Sequence, residues 1–114
     1  MSNIFDNKEI DGVQLEQLLE ERKTNKKSFI LVDVREEYEF NSSHIEGVDY
    51  LIPLSSFYEK VKEIEGYKET PVIMQCKLGG RSQQAQRQLE TMGFKRVINL
   101  AGGISAYKGK TINA

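Results

Sequence analysis

The chain is poor in the residues that make disulfides and metal sites. Its 114 residues include one cysteine, Cys76, and one histidine, His44. A single cysteine excludes an intrachain disulfide, and one cysteine with one histidine excludes a zinc site made of these residue types. We therefore expect no resident metal, a reduced Cys76 and a cytoplasmic location.

Long apolar runs and an excess of either charge are also absent. Apolar runs such as residues 29–32 are far shorter than the roughly 20 residues that cross a bilayer. The first ten residues, MSNIFDNKEI, lack the basic and apolar regions of a secretion signal. Sixteen Lys and Arg against seventeen Asp and Glu give a net charge of −1, which disfavours a surface built to grip nucleic acid. We expect contact with neither a membrane nor, directly, a nucleic acid.

The pattern that is present alternates short apolar runs with amphipathic segments. Apolar runs of strand length occupy residues 28–33, 48–52, 71–76 and 97–100. Parallel strands need crossover connections, so this order predicts an α/β fold whose parallel sheet is covered by helices on both faces. The length fits one globular domain.

Four helical segments are predicted around these strands. Asp11 is expected to cap the first. One amphipathic helix is predicted over residues 57–67, another begins near Ser82 and ends at Gly93, and a short one follows Gly102 and Gly103. The helical residues expected to face the core are Val13, Leu15, Leu18, Leu19, Phe57, Tyr58, Val61, Ile64, Ala85, Leu89 and Met92.

Residues 76–82, CKLGGRS, have the composition of an anion-binding loop at the end of a strand. In open parallel sheets, ligands bind beyond the carboxyl ends of the strands, and Cys76 ends one of them. Glycines let successive backbone N–H groups point inward, and a helix N-terminus adds about half a positive charge. Together with Lys77 and Arg81, these groups favour thiolate over thiol. Cys76 is therefore a candidate nucleophile.

A buried structural cysteine is the alternative interpretation, because free cysteine packs as a small hydrophobic residue. That role requires neither two glycines nor an arginine and a helix start within six positions. Charge is also concentrated here: residues 76–96 carry five cationic side chains and one Glu, a net charge of +4. Residues 33–46 carry five acidic side chains and one Arg, a net charge of −4. The acidic segment is thus separated in sequence from the loop.

Several motifs, in this order along the chain, resemble those of the rhodanese-domain sulfurtransferases. They are Asp33-Val34-Arg35-Glu36 with Tyr38, HIEGV at 44–48, IPL at 52–54, CKLGGRS at 76–82, and MGF at 92–94 with Gly102-Gly103. The resemblance spans roughly residues 4–110. It implies one rhodanese domain over residues 1–114, with three layers: a central parallel sheet of about five strands and helices on both faces.

The resemblance also implies a catalytic cycle that needs no metal or organic cofactor. The Cys76 thiolate takes a sulfane sulfur from thiosulfate or a persulfide donor. The resulting Cys76 persulfide passes this sulfur to a thiol, to cyanide or to a sulfur-relay protein partner. The expected substrate-binding residues are Lys77, Leu78, Gly79, Gly80, Arg81, Ser82 and Arg35, and Asp33 is expected to support the pocket.

Two other functions remain as alternatives. Cysteine-dependent phosphatases and arsenate reductases place five residues between Cys and Arg, whereas four separate Cys76 from Arg81. The shorter loop suits one sulfur atom better than a phosphate. A non-catalytic binding module with a rhodanese-like fold is the second alternative, although such modules often lack the cysteine.

Some polar residues outside the loop have structural as well as functional interpretations. Asp33 and Arg35 follow a strand at the same edge of the sheet, where they brace a loop or meet an anionic donor. His44 has the pKa range of an acid–base catalyst, but the matching family position is largely structural. Three residues depart from the family pattern: Ser43, Glu46 and Tyr107. The resemblance therefore does not specify the local geometry around strand three or the surface beside the pocket.

Overall fold

A parallel sheet of five strands organises the computed structural model of the protein, which describes residues 3–113. The strands are β1 (Glu9–Ile10), β2 (Ile30–Asp33), β3 (Ser43–Ile45), β4 (Tyr50–Leu51), β5 (Val72–Gln75), β6 (Val97–Leu100) and β7 (Thr111–Asn113). The large sheet has the order β1-β6-β5-β2-β4, and every neighbouring pair is parallel. The predicted sheet of about five parallel strands is confirmed.

Helical segments connect the strands. The α-helices are α1 (Gly12–Lys23), α2 (Glu37–Ser42), α3 (Phe57–Lys60), α4 (Gly80–Thr91) and α5 (Gly103–Ala106), and 3₁₀ helices cover Ile4–Asp6, Leu54–Ser56 and Val61–Tyr67. Within residues 3–113, none of the helices has the length and apolar character that crossing a bilayer requires.

The large sheet is buried on both faces, as its unbroken apolar runs predict. In β2, Ile30 and Val32 face a cluster that includes residues of α3 and α4, whereas Leu31 faces a second cluster built on α1. Every residue of β2, β5 and β6 is buried. Each fully buried aliphatic side chain contributes about 1.5–3 kcal/mol. The predicted arrangement of three layers is confirmed.

The first helix begins where the sequence indicates, although one of its residues that was expected in the core is exposed to solvent. The Asp11 carboxylate accepts a hydrogen bond from the Gln14 N–H at 2.8 Å, and the Gln14 side chain accepts one from the Asp11 N–H at 2.9 Å. This capping box satisfies donors at the start of α1. Leu15, Leu18 and Leu19 are buried, but Val13 is 70% exposed, so the core prediction was wrong for Val13.

The single helix predicted over residues 57–67 is divided in two. One α-helical turn, α3, is followed by a 3₁₀ helix over Val61–Tyr67. Val61, Ile64 and Tyr67 are spaced three apart, and a 3₁₀ helix with three residues per turn places all three against the same core cluster. Tyr58, which was expected in the core, is 67% exposed and donates a hydrogen bond to Gln88 instead.

Several short elements were not predicted. These are β1, the helix α2 within the acidic segment, and the antiparallel pair of β3 and β7. The strand expected over residues 48–52 contains only Tyr50 and Leu51. The two- or three-residue strands carry too little periodicity to be recognised, because their pairing partner, not their own pattern, makes them strands, and α2 has only six residues and no buried side chain to mark one face. Ser43 and Glu46, which depart from the family pattern, lie in or beside β3.

The fold brings the ends of β2 and β5 together at one edge and closes that edge with α5. Asp33 pairs in register with Gln75, the residue before Cys76. The N–H groups of Ile104 and Ser105 donate to the carbonyl groups of Cys76 and Lys77, at 2.9 and 3.1 Å. α5 therefore holds the start of the loop 76–82.

This contact predicts that Gly103 cannot be replaced. Gly103 has a φ of +56°, and a Cβ there would lie 2.4 Å from the Cys76 carbonyl oxygen. We expect Gly103→Ala to lower the free energy of unfolding by about 2–5 kcal/mol, because backbone atoms must move apart and the dihedral is strained. Chemical denaturation measures this change.

Gly66→Ala is the matched control. Gly66 has no positive φ, and a Cβ there meets nothing within 4 Å. We expect it to raise the free energy of unfolding by up to about 1 kcal/mol, since alanine restricts the unfolded chain. A Gly103→Ala protein as stable as Gly66→Ala would contradict the close approach of α5 to the loop.

Candidate active site

Cys76 lies directly after β5, and two hydrogen-bond donors of the following loop point at its sulfur. The Gly79 N–H lies 3.0 Å from Sγ, and the Ser82 hydroxyl oxygen lies 3.3 Å from it. The residue is 1% exposed. The sulfur is therefore enclosed by polar groups of its own loop as well as by the core.

These donors outweigh the effect of burial on the thiol. Burial by itself raises the pKa of Cys76, because it disfavours the charged form. Hydrogen bonds from the Ser82 hydroxyl and from the backbone N–H groups of Ser82, Gly79 and Leu78 stabilise the thiolate, and the resulting pKa is lowered below its ordinary value. The surroundings of Cys76 suit a nucleophile better than a structural thiol.

The two glycines of the loop have different roles. Gly79 has a φ of +120°, which favours glycine, and this conformation turns its N–H toward the sulfur. Gly80 begins α4 without a positive φ, and a Cβ there would meet nothing within 4 Å. The helix thus starts two residues before the predicted Ser82, because the turn is completed by Gly79.

Ser82 connects the sulfur to a buried residue that the sequence did not indicate. Its hydroxyl oxygen is within hydrogen-bond distance of the Asn99 carboxamide oxygen and, at 3.1 Å, of the Gly79 carbonyl. The Asn99 amide in turn donates to the Glu9 carboxylate at 3.2 Å. The one hydroxyl hydrogen of Ser82 can reach only one acceptor at a time. Asn99, a buried polar residue within an apolar strand, was the available signal for this contact.

Arg81 makes a second contact that the sequence did not indicate. Its Nη1 and Nη2 donate to Glu39 Oε1 and Oε2, at 2.7 and 3.0 Å. The hydrogen bond from Arg81, opposed by burial, is the main cause that lowers the pKa of Glu39 to about 2. The acidic segment is separate from the loop in sequence but contacts it in space, since α2 returns to the same edge.

Asp33 and Arg35 form a buried ion pair at this edge. Arg35 Nη2 lies 2.8 Å from Asp33 Oδ2, and the two side chains are 6% and 0% exposed. Arg35 also donates to the carbonyl groups of Ser43 and Glu39, at 2.7 and 3.4 Å. These bonds favour the bracing role for both residues. Substrate binding by Arg35 and pocket support by Asp33 stay predictions.

A cavity of about 240 Å³ opens beside the sulfur. It is lined by Cys76, Lys77, Leu78, Gly80 and Arg81. Lys77 and Leu78 are exposed, and Lys77 also lines a neighbouring cavity of about 340 Å³ with Arg35 and Glu39. The structure thus brings the predicted loop residues around one opening, and their roles as substrate ligands stay predictions.

His44 lies apart from the sulfur chemistry. Its ring stacks on Phe40 with centroids 3.9 Å apart, and its Nδ1 lies 3.0 Å from the Phe40 carbonyl oxygen. It forms part of β3 and pairs with Ile112. In the part of the chain that the structure describes, no three His, Cys, Asp or Glu side chains are arranged to hold a metal ion.

A parallel α/β fold with a strand-end thiol inside a loop of N–H donors defines the class of this protein. The chain belongs to the rhodanese-like domain family, whose model matches residues 14–110. The resemblance found in the sequence motifs is confirmed.

Individual proteins are similar to most of this chain. The chain is 38% identical over 84 residues to the putative sulfur carrier protein YrkF of Bacillus subtilis, covering 74% of this chain and 44% of that protein. It is 30% identical over 83 residues to the thiosulfate sulfurtransferase GlpE of Tolumonas auensis, covering 71% of this chain and 74% of that protein. Three of the curated relatives are longer proteins, of which the chain spans 27 to 64%.

A solved structure supports the fold independently. The rhodanese-like domain of the Alr3790 protein from Anabaena sp. matches with a TM-score of 0.80 over 95% of this chain and 80% of that chain. The two sequences are 22% identical, so this match concerns the fold alone.

The hydrogen bond from Ser82 predicts how the reactivity of Cys76 depends on pH. Ser82→Ala removes a donor from the thiolate without relieving its burial, so we expect the pKa of Cys76 to rise. Alkylation by iodoacetamide at pH 7 should become several-fold slower, because a smaller fraction of Cys76 is thiolate, and the two proteins should converge at high pH. A series of alkylation rates against pH measures both effects.

Ser28→Ala is the control, since Ser28 is exposed and outside the loop. Its alkylation profile should match the unmodified protein. A Ser82→Ala profile that also matches would show that the Ser82 hydroxyl does not stabilise the thiolate.

Proposed function

We propose that the protein is a sulfurtransferase that carries a sulfane sulfur as a persulfide on Cys76. The observation that carries this proposal is the enclosure of the Cys76 sulfur by N–H and O–H donors that lower the pKa of its thiol, next to an opening at the sheet edge. Membership of the rhodanese-like family supports it. So do the names of two relatives, a putative sulfur carrier and a thiosulfate sulfurtransferase.

In the first half of the cycle, the Cys76 thiolate attacks the outer sulfur of the donor. With thiosulfate, a new S–S bond forms to Cys76, the S–S bond of thiosulfate breaks, and sulfite leaves with the electron pair. With a persulfide, a thiol leaves instead. We propose that the N–H groups that stabilise the thiolate also stabilise the anionic persulfide.

In the second half, an acceptor thiolate or cyanide attacks the terminal sulfur of the Cys76 persulfide. The S–S bond breaks, and the Cys76 thiolate leaves with the electron pair. The same donors stabilise this leaving group, because a low pKa makes a thiolate leave faster. The sulfur is carried covalently, so we propose no metal or organic cofactor. A relay protein presenting a thiol is a further acceptor, and a cytoplasmic location suits the reduced thiols that this cycle requires.

The alternative of a phosphatase or arsenate reductase is less well supported. Four residues separate Cys76 from Arg81, and Glu39 already occupies both terminal nitrogens of that arginine. A non-catalytic module is disfavoured by the lowered pKa of Cys76, since a retained but idle thiol needs no such donors.

Sulfur uptake by the reduced protein tests the proposal. After incubation with thiosulfate or an organic persulfide, we expect the intact mass to increase by one sulfur atom, and cyanide to remove it as thiocyanate. Mass spectrometry and a colorimetric thiocyanate assay measure the two steps. Cys76→Ser should take up no sulfur.

The alternatives give different results in the same assay. Turnover of a phosphate ester without sulfur uptake would favour the phosphatase. No uptake from either donor, with Cys76 no more reactive than an ordinary thiol, would favour the binding module.

A further inference from the structure

The arginine that the loop offers to an anionic donor is already paired. Arg81 is the only arginine of residues 76–82. Both terminal nitrogens of its guanidinium donate to the Glu39 carboxylate, at 2.7 and 3.0 Å. A bidentate pair of this kind uses the geometry by which arginine otherwise recognises an oxyanion. Glu39 therefore stands where the anionic end of a donor would bind.

Glu39 is held in this position by its own helix. Its Oε1 also accepts the Glu36 N–H at 2.9 Å, as part of the capping box of α2. The side chain is 15% exposed, against 35% for Arg81. With a pKa of about 2, the carboxylate is ionised at any pH near neutrality. A donor anion must compete with a fixed and permanently charged group.

The other cations at this edge of the sheet do not replace Arg81 as a ligand for an anionic donor. Arg35 is buried and paired with Asp33. Lys77 is exposed and makes no ion pair with a carboxylate of residues 3–113. Thiosulfate is a dianion that must approach a thiolate, so one flexible lysine faces three negative charges. A neutral or singly charged donor carries a smaller electrostatic cost.

The opening also offers an apolar contact. Leu78 is 70% exposed at the loop and lines the cavity beside Cys76. An inorganic dianion gains nothing from this side chain, whereas the carbon body of an organic donor removes apolar surface from water against it.

We propose that the Glu39–Arg81 pair makes this site select organic persulfide donors over thiosulfate. The proposal rests on the proposed function and names the donor class of the same site. In the selected reaction, the Cys76 thiolate attacks the outer sulfur of R–S–SH, a new S–S bond forms to Cys76, and the S–S bond of the donor breaks. The electron pair leaves on R–S⁻, which takes the proton of the transferred sulfur and departs as R–SH. The Cys76 persulfide remains as an anion.

A pair of charge-removing variants tests donor selection. Glu39→Gln keeps the size of the side chain and removes the charge that neutralises Arg81, whereas Glu37→Gln removes the same charge from an exposed position of the same helix. Stopped incubations followed by mass spectrometry give the rate constants for sulfur loading from thiosulfate and from the persulfide of N-acetylcysteine amide. Their ratio is the readout, because a change in the reactivity of Cys76 itself affects both rates.

We expect Glu39→Gln to raise the thiosulfate-to-persulfide ratio about tenfold, less at high salt, because the freed guanidinium attracts the dianion. Glu37→Gln should change the ratio by less than about twofold, since Glu37 is exposed and makes no ion pair with Arg81, and exposed charges are screened by salt. An unchanged ratio in Glu39→Gln would overturn donor selection.

The double variant Glu39→Gln with Arg81→Gln distinguishes an effect of the Arg81 charge from a change in the local structure caused by Glu39→Gln. Removing both members of the pair should return the ratio to within about threefold of the wild type, because the coupling between them is lost. A ratio that stays raised in the double variant would contradict a role for the Arg81 charge.

The wild-type protein provides a test that depends on no variant. We expect it to load sulfur from the persulfide at least about tenfold faster than from thiosulfate at equal concentrations. Faster loading from thiosulfate would overturn donor selection while supporting the proposed function. No loading from either donor would contradict the proposed function itself.

Discussion

The hydrogen bonds from the first residues of α5 to the loop determine the direction of the peptide groups around Cys76. Ile104 and Ser105 donate to the carbonyl groups of Cys76 and Lys77. Because these two carbonyls point toward α5, the N–H groups of Lys77 and Leu78, which follow them across trans peptide bonds, point the other way, and the Leu78 N–H is one of the groups that lower the pKa of Cys76. Gly103 allows this approach, since any Cβ there would overlap the loop backbone. Part of the lowering of the thiol pKa therefore depends on an element that begins 27 residues further along the chain.

The acidic segment supports the same edge from the other side. Asp33 and Arg35 form a buried pair that also binds the carbonyl group of Ser43, so the end of β2 is tied to the start of β3. Removing one member of such a pair leaves an uncompensated buried charge and costs about 3–5 kcal/mol. α2 lies between these strands, and its Glu39 contacts Arg81. The charges of this segment thus brace the sheet edge, and one of them is paired with the arginine that lines the opening.

The order of the large elements was predictable because each is long enough to show its own sequence pattern. Strands β2, β5 and β6 are buried on both faces and appear as unbroken apolar runs, and α1 and α4 carry helical spacing and end signals. The short pieces were not predictable in the same way. β1, β3 and β7 exist through their partners, and the 3₁₀ helix after α3 follows from packing at a spacing of three.

The sequence by itself determined the family and the order of the main strands and helices, and it predicted Cys76 with its glycine-containing loop as the candidate site. These depend on local patterns, which the chain carries regardless of its path in space. Tertiary structure alone decided which charges and hydrogen bonds meet the loop. Glu39 lies 42 residues before Arg81, and Asn99 lies 17 residues after Ser82, yet each contacts its partner directly. Electrostatic and hydrogen-bond energies depend on distance in space, so pairs this far apart in sequence become visible only when the chain is folded.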